Sequence, residues 1–198
     1  MRLKRNLQGT VFLVSLFAAI YLVGYFLLGK PFAPEQFVEA RSRSAAAAKE
    51  IVAFSENSVQ NLSTINQLDR RDQFSEALVL VRQELENSRK AKIKAVDLIK
   101  ELGEMAKETA RITPARARNL ATEAVREEVA LITHLVVYND VLNGLLQTLE
   151  FKFSGDIRSY GSEEVQILIE NLNKEVKEIN KLNESFNSKM EEFDEIVK

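Results

Sequence analysis

The sequence predicts an all-α protein: an N-terminal transmembrane helix followed by an antiparallel up-down-up-down four-helix bundle of long helices. Three observations carry that expectation. A charge-free apolar run occupies residues 9–29. Beyond it, proline occurs only at Pro31, Pro34 and Pro114, and glycine only at Gly103, Gly144, Gly155 and Gly161, so long helices meet few breakers. Between the breaks, apolar residues recur at spacings of three and four, the period of a helix with one buried face.

The run from Gly9 to Gly29, GTVFLVSLFAAIYLVGYFLLG, has 21 residues. As a helix it rises about 31 Å, matching a bilayer core of roughly 30 Å. It exceeds the apolar stretch of a cleaved signal, so an uncleaved signal anchor is expected. Tyr21 and Tyr25 lie toward one end, where amphipathic rings favour the interface. Arg2, Lys4 and Arg5 sit in the short tail 1–8, which is expected in the cytoplasm. That orientation places residues 30–198 outside a plasma (inner) membrane. Residues 1–30 hold four of the 27 basic residues and none of the 29 acidic ones, so the remainder carries a net charge of −6.

Four helices are expected at about 34–68, 72–111, 114–152 and 162–198. Pro34 suits a first helical turn. The first helix offers Phe37, Val38, Ala45, Ala48, Ile51, Val52, Val59, Leu62 and Ile65 as its apolar face. Asp69-Arg70-Arg71-Asp72 forms a polar turn, with Asp72 placed to cap the second helix. Phe74, Leu78, Val81, Leu85, Ala95, Ile99, Leu102 and Ala106 mark that helix. Thr113-Pro114 restarts the chain. Leu131, Leu135, Tyr138, Leu142, Leu145 and Leu149 give the third helix its core face, and Asn139 and Asn143 near it are candidates for fixing register. Residues 153–162 hold two glycines and form the longest loop, after which Ser162 can cap a fourth helix. That helix presents Val165, Leu168, Leu172, Val176, Ile179, Phe186, Met190, Phe193 and Val197.

Composition disfavours catalysis. Without Cys there is neither a disulfide nor a thiolate metal site, and with one His there is no imidazole cluster. A bundle di-metal site needs Glu-x-x-His from two helices, whereas position 131, three before His134, is Leu. No phosphate-binding glycine loop or nucleophile elbow is present. Carboxylates interleave with lysines, as in Glu170/Lys174 and Glu178/Lys181, in the manner of solvated helix pairs. With 27 basic against 29 acidic residues, no nucleic-acid partner is implied. No catalytic residue, metal or cofactor is expected.

Three surfaces stand above this background. The third helix is apolar around more than one face, and its stripe Ala130, His134, Val137, Val141, Gly144 is compact enough to admit another helix. Lys107, Arg111, Arg116 and Arg118 gather at the turn returning toward the membrane, where cations attract lipid headgroups or the acidic C-terminus. Phe153, Ile157 and Tyr160 place apolar groups at the distal tip, as a partner patch or a cover for the core.

A span followed directly by four long helices is similar in layout to the extracytoplasmic four-helix sensor domains of bacterial chemoreceptors, although no motif is shared. The likeness implies a sensor-like, small-ligand-binding bundle working through a membrane partner. The residues themselves favour a different reading: a non-enzymatic interaction or scaffolding module at the cell envelope. It would be anchored in the lipid bilayer through residues 9–29 and engage a protein partner or a second copy.

Overall fold

The computed structural model describes residues 33–155 and 162–197. The expected span at 9–29 lies outside them, as do Ile157 and Tyr160 of the distal patch. Among the described residues every element is helical: α1 Glu35–Arg70, α2 Phe74–Glu108, a 3-10 turn Thr109–Arg111, α3 Ala115–Ser154 and α4 Ser162–Val197. The four long helices pack against one another, α1 on α2, α2 on α3 and α3 on α4.

Their ends follow local backbone chemistry. α1 stops where Asp72 takes a left-handed conformation (φ 58°) and Gln73 donates its N–H to the Leu68 carbonyl. A short polar side chain tolerates that region better than most. Asp72 is therefore the turn residue rather than the cap of α2, whose flanking position is Gln73 without a side-chain cap. Pro114 likewise stands just before α3 instead of inside its first turn, with no side-chain cap from the preceding threonine. α3 runs on through Ser154 and ends at Gly155 (φ 78°), which donates its N–H to the Phe151 carbonyl. Only glycine takes that left-handed exit without steric penalty.

Buried positions alternate by three and four along every helix. On α2 the buried face comprises Ala77, Val81, Glu84, Ser88, Ala95, Leu98, Leu102 and Met105. The sequence-based assignment for this helix is rotated: it shares Val81, Ala95 and Leu102, but Ile99 and Phe74 are exposed. α2 carries two apolar stripes, and the buried one is the stripe interrupted by Glu84 and Ser88. On α4, Leu172, Val176, Ile179, Phe186, Met190, Phe193 and Val197 are buried as expected, joined by Asn183.

α3 is buried on a wide face because it packs on both α2 and α4. It is also long and apolar enough to cross a membrane by length and composition. Here that apolarity fills the core, through Leu131, Ile132, Leu135, Leu142, Leu145 and Leu146. Cross-links fix the register of neighbours. Arg43–Glu101, Lys94–Glu50 and Ser58–Glu84 join α1 to α2, the numbers falling on one helix as they rise on the other. At one end α1 meets α4: the Phe37 and Phe193 rings lie 5.7 Å apart, and Arg41 grips Asp194 with two bonds of 2.8 and 3.0 Å. Both members are buried, and the paired donors match the two carboxylate oxygens.

Candidate functional site

Polar groups at inward positions come first, because a ligand would have to compete for them. Glu84, fully buried on α2, accepts from Ser58 Oγ, from Asn61 Nδ2 at 2.8 Å and from Asn87 Nδ2 at 3.3 Å. One turn on, Ser88 donates to Asn139 Oδ1, while Asn139 Nδ2 donates to the Ser88 carbonyl at 3.1 Å. Asn143 adds a bond to Asn139 Oδ1 at 3.2 Å. Of the two asparagines expected to fix register, Asn139 ties α3 to α2 at one level, while Asn143 bonds Asn139 within α3. Beside them Ser55, Ser58, Ser88, Tyr138 and Asn139 border a cavity of about 20 Å³. That volume holds a single water, far short of the several hundred Å³ of a small-molecule site. The Tyr138 hydroxyl is buried without a partner. Burial foremost, with the Glu84 charge second, pushes its pKa upward.

A second polar level lies between α3 and α4. Glu128 Oε2 and both amide atoms of Asn183 are buried without partners. Cross-links at Glu127–Lys189 and His134–Glu175 set the register here, and Glu128 and Asn183 fall between them. Desolvation alone pushes Glu128 up to about 7, since burial penalises the charged form. Among the described residues no group of three or more His, Cys, Asp or Glu is placed to hold a metal ion.

The surfaces singled out from sequence find mostly internal partners. His134 lies 2.7 Å from Glu175 of α4 through its Nδ1. A Cβ on Gly144 would touch Leu168 Cδ2 at 3.6 Å. The compact stripe of Ala130, His134, Val137, Val141 and Gly144 therefore admits a helix, and that helix is α4 of the same chain; Val137 stays 41% exposed. At the basic turn, Lys107 pairs with Glu104 at 2.7 Å, Arg111 with Glu108 at 2.8 Å and Arg116 with Glu192 of α4 at 3.8 Å. Arg118 is half-buried. The acidic C-terminal segment thus receives basic partners, the buried one being Arg41. Phe153 is no loop residue: it is buried in the last turn of α3, stacked on Phe74 at 5.8 Å. It covers the end of the core.

What remains unpartnered is a face of which the sequence reading assigned only Ile99 and Ala106 to the interior. Ile93 (62%), Val96 (61%) and Ile99 (46%) on α2 stand in solvent together with Gly103 and Ala106. They recur at the three–four spacing of a second seam. Across the groove on α3, Val129 is 45% exposed. The bonds Ser88–Asn139 and Lys92–Asp140 set the α2–α3 register and bring Val129 level with residues near 101. A signal was available: two interleaved apolar stripes on one helix, of which the core can take only one. Comparison with protein families, with curated proteins and with solved structures finds no match, so geometry carries the functional reading.

Proposed function

We propose that this chain is a single-pass membrane protein, held by residues 9–29 with its N-terminus cytoplasmic. Its up-down-up-down bundle acts as a non-enzymatic interaction module at the cell envelope. The observation that supports the interaction role is the exposed apolar face of Ile93, Val96, Ile99 and Val129. A contiguous patch of large aliphatic groups in water is unfavourable unless something covers it. Glu84, Ser88 and Asn139 already have protein partners, although the Tyr138 hydroxyl beside them does not, and the cavity there admits only a water. Both facts favour docking over small-ligand sensing.

The natural absence of cysteine makes the test clean. In intact cells, a membrane-impermeant maleimide should label Glu123→Cys and spare Asn6→Cys, and alkaline carbonate should leave the chain in the membrane. A photo-crosslinker at Val96 should capture protein, and one at exposed Gln83 should not. Carbonate extraction, reversed labelling, or no difference between the two crosslinking positions would each overturn the reading.

A further inference from the structure

The cavity beside the Glu84 level lies where three helices meet. Ser55 and Ser58 come from α1, Ser88 from α2 and Tyr138 from α3, and all four border the same space of about 20 Å³. Ser58, Ser88 and Tyr138 are buried. The volume suits one water, which settles in a protein interior when about two to four polar partners hold it. Hydroxyls supply those partners here, and the direction of each bond follows from the other bonds each hydroxyl makes.

A serine hydroxyl has one proton to give and lone pairs with which to receive. Ser88 spends its proton on Asn139 Oδ1. Ser58 spends its own on Glu84 Oε1, with the Phe54 carbonyl at 3.0 Å as its other acceptor. Toward any occupant of the cavity, both serines are therefore acceptors. Tyr138 is the reverse. Its hydroxyl is buried without a partner, and burial, with the Glu84 charge second, holds the proton on it. It has a proton to give and no protein group that takes it. Ser55 adds a further hydroxyl, able to donate. A water meets all these demands at once, with two protons for Ser58 and Ser88 and two lone pairs for Tyr138 and Ser55. A bare cation or an ammonium ion has no lone pair, so either would leave the Tyr138 proton unused.

We propose that this cavity is the binding site of one ordered water, which donates to Ser58 and Ser88 and accepts from Tyr138 and Ser55. α1 and α3 each pack on α2, and the water joins all three at the height where Asn139 ties α3 to α2. A buried hydroxyl that would otherwise cost stability becomes a cross-link instead. The site is independent of the exposed face of α2 and stands whether or not that face docks a partner.

The test uses the full chain purified in detergent. Its crystals should show one solvent peak within about 3.2 Å of Tyr138 Oη, Ser58 Oγ and Ser88 Oγ. Urea unfolding gives a second readout. Tyr138→Phe keeps the ring and removes only the hydroxyl, so it should retain wild-type helicity by circular dichroism and unfold at lower urea. Ser55→Ala should lower the midpoint in the wild-type chain and lower it less in Tyr138→Phe, because both side chains act through the same water. A cavity without a solvent peak overturns the proposal. So does a higher midpoint for Tyr138→Phe, the mark of a dry hydroxyl whose removal relieves a penalty. Strictly additive effects of Tyr138→Phe and Ser55→Ala overturn it as well. A midpoint that moves when ammonium chloride replaces sodium chloride at equal ionic strength, but not in Ser58→Ala, assigns the cavity to a cation and overturns the water.

Discussion

Glu84 and Glu128 are both buried carboxylates at inward positions, on helices that pack together, and their surroundings are opposite. Glu84 meets a hydroxyl and two side-chain amides drawn from α1 and α2. Glu128 has an oxygen with no donor, and Asn183 at its level is bonded through neither amide atom. A buried polar group specifies register only when the facing helix supplies a partner at the same height. Where none arrives, the group sheds its charge instead. Desolvation accordingly lifts Glu128 to about 7.

Substitutions that move a residue from one situation to the other should change stability with opposite signs. The largest loss should follow Arg41→Ala, which turns Asp194 into a second unpaired buried carboxylate. About 3–5 kcal/mol should disappear from the unfolding free energy in urea. Next comes Glu128→Gln. The folded carboxyl binds its proton more tightly than the unfolded one, whose ordinary value is 4.5. Its contribution is therefore complete below pH 4.5 and is lost as pH rises through about 7. Denaturation at pH 8 should show the variant more stable than wild type by about 3 kcal/mol, with the two coinciding near pH 4. A wild-type profile flat across this window contradicts the assignment. Glu84→Gln should act in the other direction, losing about 1–3 kcal/mol at pH 7 as charge-assisted bonds weaken. Smallest is Lys92→Ala, which removes an ion pair with half-exposed partners and should shift stability by less than about 1 kcal/mol.

The helical class was legible because few breakers interrupt long three–four patterns, and the boundaries agreed within a few residues. The apolar face of α4 from Leu172 to Val197 was legible for the same reason: it is the one strong stripe on that helix. α2 was not, because it carries two stripes, and the buried one is the more polar. Nothing local to Glu84 announces that Ser58 and Asn61 will stand against it from another helix. Glu128 and Asn183 were equally hidden, since each sits in a short polar run, Arg126-Glu127-Glu128 and Asn183-Glu184-Ser185, that gives no sign of which member turns inward. The compact stripe on α3 was expected to admit another helix, and α4 of the same chain lies against its His134 and Gly144; nothing local in the sequence says whose helix that would be.

By itself the chain determined which segments are helical and roughly where each stops, because propensity, period and punctuation act over a few neighbouring residues. It also determined that neither disulfide nor thiolate chemistry is available, which is a matter of composition. Only the tertiary structure decided which stripe of α2 turns inward, which carboxylates find donors and which aliphatic groups stay wet. Those outcomes depend on the relative height and rotation of helices far apart in sequence, and no local preference encodes them.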